Sequence, residues 1–505
     1  MAFQRIRDPL HNLIEFQDSP FERNLWKLIQ SGPFQRLRRI KQLGFSEWVY
    51  PGATHTRFAH SLGVFHTSRM LMEIVQRYTD KSFDERRAEL ALTAALLHDV
   101  GHGPFSHAFE AVGKKLKIES AKHEPVSDTL IRSGEIADIL KVFGSGFAND
   151  VADLIGNKSE PDIYSAVVSS QFDADRLDYM RRDRLMTGTH HGAIDFDWLL
   201  SNLEIGNASA GVDEEPINSV PTFVLGPKAV YAAETYVLGL FQLYPTVYFH
   251  KATRGAERVF SELLFQIVAL TADGSLQRTG LSENHPLIEF AKDPGNIGHV
   301  LKLDDTVVLG SLDALSHAED DCVAQLASSI LNRKVRKCID IRERIKEKLG
   351  AQDTLALERE LDIPFEKMAK EGFGCLSDLR LRKIMMSSVR DRLEADLLDK
   401  ASLYAYNSLS SPPKLHNESP KIILDEGNRA PYKRMEETKG PLEQILIRSQ
   451  SATGGSLLDV ATVSRVVASI QNFKFVRAYV NRDDRVAYQQ VEKAIEDGVK
   501  HAMAA

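Results

Sequence analysis

Five histidines and a few carboxylates in the first half of the chain are suited to metal and phosphate chemistry. The run LALTAALLHDVGHGPFSHAFEA, Leu90 to Ala111, carries an apolar helical pattern into adjacent His98 and Asp99. Imidazole and carboxylate both lose hydration on burial, and one divalent cation partners both. A hydrogen-bonded core histidine beside a capping aspartate would explain a lone pair of this kind. Here His102 and His107 follow within nine residues of His98, which that account leaves unexplained. His60 lies three residues after Arg57, on one helical face, and an arginine there is expected to keep the imidazole neutral, as a metal ligand must be. His60, His98, Asp99 and Asp175 thus offer two imidazoles and two carboxylates from three separate helices. That set suits Mn²⁺, Fe²⁺, Zn²⁺ or Mg²⁺, with positions left for water and substrate. Such a site hydrolyses phosphate esters. His102, His107 and His123 are then candidates to position a phosphate or move a proton, with Glu110 orienting one of them, and Arg57 and Arg176 are candidate phosphate clamps.

The elements that must position these groups read as mostly helical. Asp8-Pro9 makes a turn before a short extended piece, Leu13 to Phe16, and a helix follows from Phe21 to Ile29. Phe34 to Leu43 predicts an amphipathic helix with a basic side, which serves either as a solvated face or as an anion site. A helix is expected from Thr54 or Thr56 to Val75, with His55 and His66 as ordinary helix histidines. Ser169 to Thr189 is dense in charge, and Phe172, Leu177 and Tyr179 argue that its helix is partly buried. Residues 204–226 predict a short hairpin projecting from the helical body, and Ala229 to Leu270 returns to long helix. Within it, Tyr244, Tyr248, His250, Lys251 and Arg254 form either a stacking and phosphate-binding edge or core beside a solvated rim. Arg333 to Leu349 reads as an exposed helix, Glu358 to Lys400 as a mixed region, and Ser408 to Pro441 as a Pro-rich linker. Leu457 to Val480 reads as helix then strand, so the C-terminal third is a small α+β lobe. The expected division is residues 1–340 for the chemistry and 341–505 for oligomerisation or regulation.

Composition excludes several classes. With 505 residues, 43% hydrophobic and 26% charged, the chain is a globular protein of two or three domains. Three scattered cysteines, Cys322, Cys338 and Cys375, argue against disulfides and Cys-ligated zinc. No apolar run approaches a membrane span and no secretory pattern opens the chain, so a cytoplasmic location is expected. A net charge of −7 confines any nucleic-acid binding to a local patch, such as weak single-strand binding by FQRLRRIK. No P-loop, nucleophile elbow or dinucleotide glycine fingerprint is present.

Together FQRLRRIKQLG (Phe34–Gly44), YPGATHTRFAHSLGV (Tyr50–Val64), LLHDVGHGPFSHAFE (Leu96–Glu110), His123-Glu124, DADRLDYMRRD (Asp173–Asp183) and YFHK (Tyr248–Lys251) resemble the HD-domain phosphohydrolases. More narrowly, the chain is similar to the deoxynucleoside triphosphate triphosphohydrolases, well over about residues 4–260 and loosely beyond. The resemblance implies a mostly α-helical HD fold and a divalent metal on His60, His98, Asp99 and Asp175. It implies that His123 is catalytic and that His102 and His107 lie near the α-phosphate. By the same match Arg57, Arg176, Tyr179 and Asp183 contact triphosphate and sugar, with Tyr179 under the sugar, while Gln42, Leu43 and Tyr248 border the nucleoside. The implied reaction is water attack at the α-phosphorus of a dNTP, releasing deoxynucleoside and tripolyphosphate.

The family's allosteric guanine site departs here. Its acidic residue is replaced by Gln30-Ser31-Gly32-Pro33, one residue shorter, while Gln35 and Arg38 match the remaining partners. Guanine-specific activation is therefore not expected, whereas a homo-oligomer, dimer or tetramer, is. A sterile-alpha-motif domain, which the vertebrate member carries, is not expected, since the HD region begins almost at Met1. Competing readings are another HD phosphohydrolase acting on ribonucleotides, cyclic nucleotides or single strands, and a nucleotide-sensing module of a defence assembly.

Overall fold

A computed structural model describes residues 4–209, 219–352, 395–412, 414–433, 443–449 and 456–504. The chain divides into two compact units: Met1–Lys334 with Arg429–Phe473, and Val335–Asn428 with Lys474–Ala505.

The first unit is mostly helical and is built around the helix Arg57–Thr79, which buries Phe58, Leu62, Phe65, Leu71 and Val75. Burial on nearly every side explains why its sequence lacks a clean amphipathic stripe. Each such side chain contributes about 1.5–3 kcal/mol on leaving water. The Thr56 hydroxyl caps it by accepting the Ala59 N–H. Two helices pack on it: Glu85–Leu97, capped by Asp84, and Ala174–Thr187, capped by Asp173. Before it stand an antiparallel hairpin, Gln4–Asp8 with Asn12–Phe16, and the helix Pro20–Gln30.

The single helix expected over Phe34–Leu43 is shorter. It runs Gly32–Arg36, tightens to a 3₁₀ turn over Leu37–Arg39, and ends because Ile40 and Lys41 turn their backbone to other partners. The Arg57 N–H donates to the Ile40 carbonyl at 2.9 Å, and the Lys41 N–H donates to Asp305 Oδ2 at 2.9 Å. The long helix expected from Ala229 to Leu270 is also interrupted. Val230–Leu243 passes into a π turn, Tyr244–Tyr248, where Pro245 lacks the N–H an α-helix needs, and Lys251–Ala272 resumes. The predicted hairpin forms, as Leu203–Ser209 paired with Ser219–Leu225, but it does not stand alone. Leu446–Arg448 and Leu457–Asp459 extend it to four strands.

In the second unit, strand Phe473–Val480 lies between Lys337–Asp340 and Ile422–Arg429. The helices Ile341–Gln352, 395–409 and Arg485–Ala504 accompany it. The segment expected as one exposed helix from Arg333 thus begins as a strand, and Ile341 and Ile345 of its helix are buried in this unit's core. The linker expected over Ser408–Pro441 contains a full strand. Most of the mixed region expected over Glu358–Lys400, and the last residues of the linker, lie outside the described residues.

Candidate active site

His60 sits in the first turn of the Arg57 helix, His98 and Asp99 at the end of the Glu85 helix, and Asp175 in the first turn of the Ala174 helix. The turn after Asp99 is compressed against the helix His123–Arg132. A Cβ on Gly101 would lie 2.3 Å from the His123 carbonyl oxygen and 2.5 Å from the Ser127 nitrogen. Gly101→Ala is expected to cost about 1–3 kcal/mol and to lower the melting temperature, because backbone on both sides must move. A thermal scan of the variant checks this.

The coordinating atoms of His60, His98 and Asp99 lie within 4.8 Å of one another. Asp175 Oδ1 is 2.9 Å from His60 Nε2 and 3.7 Å from His98 Nε2. His98 Nδ1 donates to the Ala95 carbonyl at 2.9 Å, which leaves the Nε2 lone pair facing the carboxylates; that nitrogen is buried and has no hydrogen-bond partner. His60 is held from both sides, by Asp178 Oδ2 at Nδ1 and Asp175 Oδ1 at Nε2, each at 2.9 Å. Burial opposes its charge, but the two carboxylates outweigh burial and push its pKa up to about 10. Burial also opposes charge on His98, and Asp99 and Asp175 again prevail and raise it. Burial would raise Asp99, but Arg57, His98 and His102 hold it well below the usual carboxylate range. Imidazoles that seek a proton beside carboxylates that shed theirs form a cradle for a cation. A divalent ion fits this donor set, with one orphaned imidazole nitrogen already aimed at it.

Arg57 does not act on His60 as the sequence suggested. Its guanidinium pairs with Asp99 and donates to Ser106 Oγ at 2.7 Å. Ser106 and Phe105 hold successive positive φ angles of 53° and 52°. The pair is held by the Phe105 N–H donating to Asp305 Oδ1 at 2.7 Å and by Phe105 stacking on Phe45 at 4.2 Å. Backbone strain of this kind is over-determined by its surroundings and clusters at functional sites.

Beside the cradle, His102 and His123 stack face to face, centroids 4.0 Å apart and planes 12° apart. His123 Nδ1 bonds Glu110 Oε1, and His107 Nδ1 reaches Glu110 Oε2 at 3.0 Å. Burial would raise the Glu110 carboxyl, but its bonds to His107 and His123 hold it well below the usual range. Burial, Arg57 and His123 together depress His102, which is therefore neutral. Coordinating atoms of His102, Glu110 and His123 lie close enough to suggest a second ion. Parallel rings, however, keep their in-plane lone pairs in separate planes, so they cannot converge on one ion. The arrangement suits proton transfer.

A cleft of about 390 Å³ opens next to these groups. Gln42, Leu43, Arg57, His107, Tyr179, Asp183 and Tyr248 line it. Asp183 accepts from Tyr248 at 2.9 Å and from His55 Nε2 at 2.8 Å. His55 is thus not a helix histidine; it precedes the helix, buried, and fixes a cleft carboxylate. Arg254, Glu257 and Phe249 also line the cleft, as does Arg429, which no local pattern distinguished. Three expected substrate contacts are engaged elsewhere or exposed. Arg176 donates to Gln171 Oε1 at 3.0 Å beside Asp173, His250 Nδ1 caps the Lys251 helix, and Lys251 is exposed at its start. Of the residues matched to an activator site, Arg38 lies 3.6 Å over the Phe58 ring and donates to Gln35 Oε1, while Gln35 donates to the Ile29 carbonyl.

The HD domain family model matches residues 57–182, the span from Arg57 through all four cradle residues to Arg182. The uncharacterised protein YwfO of Bacillus subtilis is 33% identical over 341 residues, covering 66% of this chain and 71% of that protein. The chain belongs to the HD-domain phosphohydrolase superfamily. HD domains are metal-dependent, in keeping with the cradle. This HD phosphohydrolase is also similar to the deoxynucleoside triphosphate triphosphohydrolase SAMHD1 of Mus musculus, 27% identical over 65% of this chain and 52% of that one. Against SAMHD1 of Bos taurus identity reaches 40%, over 28% of this chain and 24% of that one. The chain therefore spans about half or less of those two relatives. A phosphohydrolase from Bacteroides thetaiotaomicron shares the fold, with a TM-score of 0.65 at 23% identity, covering 95% of this chain and 100% of that one. Among the described residues no helix is long and apolar enough to cross a membrane.

Proposed function

We propose that this HD phosphohydrolase is a metal-dependent dNTP triphosphohydrolase that cuts at the α-phosphate and assembles as a homo-oligomer. The observation that carries the reading is the continuity of cradle and cleft through Arg57, which pairs with Asp99 and also lines the aromatic cleft. Tyrosines, guanidinium groups and a fixed carboxylate beside an ion site suit a sugar and base bearing a polyphosphate. The relationship to SAMHD1 supports the deoxynucleotide. His60, His98, Asp99 and Asp175 would hold the ion, Mn²⁺, Fe²⁺, Zn²⁺ or Mg²⁺. When bound, the ion would polarise a phosphoryl oxygen and offset its charge. Arg57 would bind phosphate oxygens, and Tyr179, Asp183 and Tyr248 would hold the nucleoside. His123, with Nδ1 committed to Glu110, would move a proton at Nε2. As a water oxygen bonds to the α-phosphorus, the bond to the 5′ oxygen breaks. His123 Nε2 would give a proton to the departing 5′ alkoxide and recover one from the attacking water, leaving deoxynucleoside and tripolyphosphate.

Incubation with Mn²⁺ and single or mixed dNTPs and NTPs, with products resolved by ion exchange, tests this. Deoxynucleoside plus tripolyphosphate is the expected outcome, and activity only in mixtures would add a nucleotide activator. Pyrophosphate or orthophosphate as the released product would overturn the reading.

A further inference from the structure

Behind His60 lies a buried polar chain that the phosphate chemistry does not use. Asp178 is fully buried, one helical turn after Asp175. Its Oδ2 accepts from His60 Nδ1 at 2.9 Å and from Arg182 Nε at 2.7 Å. Its Oδ1 accepts from His11 Nε2 at 2.6 Å and from Arg182 Nη2 at 3.1 Å. Arg182 Nη1 then donates to Asp8 Oδ2 at 2.7 Å, and Asp8 Oδ1 closes the hairpin turn by accepting the N–H groups of Leu10 and His11, both at 2.9 Å. Nothing separates this chain from the His60 helix. A Cβ on Gly63 would stand 2.0 Å from Asp178 Oδ1 and 2.2 Å from Arg182 Nη2.

We propose that Asp8 and His11 of the N-terminal hairpin, acting through Arg182 and Asp178, are positioning residues for the metal ligand His60; this rests on the reading of His60, His98, Asp99 and Asp175 as an ion site. An imidazole ligates through one lone pair and must carry its proton on the other nitrogen. Asp178 only accepts, so it fixes that proton on Nδ1, turns Nε2 to the ion and raises the basicity of the ring. A fully buried carboxylate holds such a position only if its remaining lone pairs and its charge are satisfied. Arg182 supplies the charge and two donors, Asp8 holds Arg182 in place, and His11 fills the remaining side of Oδ1. Without His11 the carboxylate is free to rotate toward Arg182 and release His60.

The test is calorimetric titration of the metal-free full-length protein with Mn²⁺, with no nucleotide present. His11→Leu, which removes the donor, is expected to raise the Mn²⁺ dissociation constant about 10–100-fold. His11→Gln, which keeps an N–H donor, is expected to stay much nearer the parent value. Asp178→Asn shifts in the same direction as His11→Leu, and if it fails to fold the His11 pair decides. Folded His11→Leu that binds Mn²⁺ like the parent, or Leu and Gln variants weakened equally, would overturn the proposal. A parent protein that binds no ion would instead remove the reading on which it rests.

Discussion

Asp99→Asn is expected to abolish ion binding and hydrolysis together, with turnover falling on the order of 10³-fold or more. Asp99 is 5% exposed and faces three imidazoles, with His102 Nε2 at 3.1 Å, His98 Nε2 at 3.4 Å and His60 Nε2 at 3.8 Å. His102 and His98 lie against Oδ1, and His60 against Oδ2, the oxygen that also pairs with Arg57. The amide keeps the shape but removes the charge that both the ion and Arg57 require. Arg57 is then a buried cation without its partner, a loss that costs about 3–5 kcal/mol in comparable buried pairs. Bound Mn²⁺ measured by elemental analysis, beside turnover, checks the expectation. A variant that keeps a full equivalent of Mn²⁺ and a tenth of its activity would refute the cradle.

His123→Gln separates proton transfer from ion binding. The side chain lies outside the cradle, so Mn²⁺ content is expected to stay at the parent level. Loss of a positioned acid or base lowers turnover by about 10²–10⁴-fold. Glu110→Gln is expected to fall less, since it still offers His123 Nδ1 an acceptor oxygen. Turnover and bound Mn²⁺ measured side by side on both variants distinguish these outcomes. Loss of Mn²⁺ in His123→Gln would mean that the stacked pair supports the cradle rather than the proton.

The His98-Asp99 half of the cradle is legible because its chemistry is local in sequence. His98 and Asp99 are adjacent, and a break at Gly101 announces that the helix ends where they emerge. Asp175 is harder to read, because it stands in the charge-dense segment Ser169 to Thr189 and such charges commonly line solvated faces. What escaped the sequence is the matter of long-range partners. Asp178 falls inside the charge-dense segment Ser169 to Thr189, but its roles come from His60 and His11, 118 and 167 residues away in the chain. Spacing puts Arg57 on the His60 face, yet burial brings Asp99 to its guanidinium, and that charged partner takes it. Phe34 to Leu43 reads as helix by pattern, and the helical backbone ends at Arg39, where Asp305, from a distant helix, accepts the Lys41 N–H. Tertiary hydrogen bonds overrode local preference in that segment.

The return of residues 429–473 to the first unit sets the order in which a nascent chain can finish its catalytic half. Tyr432, Ile445, Ile447, Val460 and Val467 belong to the same buried cluster as the HD helices, and Arg429 lines the cleft. About 140 residues separate the first departure from that unit, at Lys334, from its last residue, Phe473. At ordinary synthesis rates the ribosome needs roughly 7–28 s to cross that interval. During it the metal ligands are already made while part of their apolar surroundings has not emerged. A chain cut soon after residue 340 carries every HD motif and still lacks part of the core, so it presents an open apolar surface to chaperones and proteases.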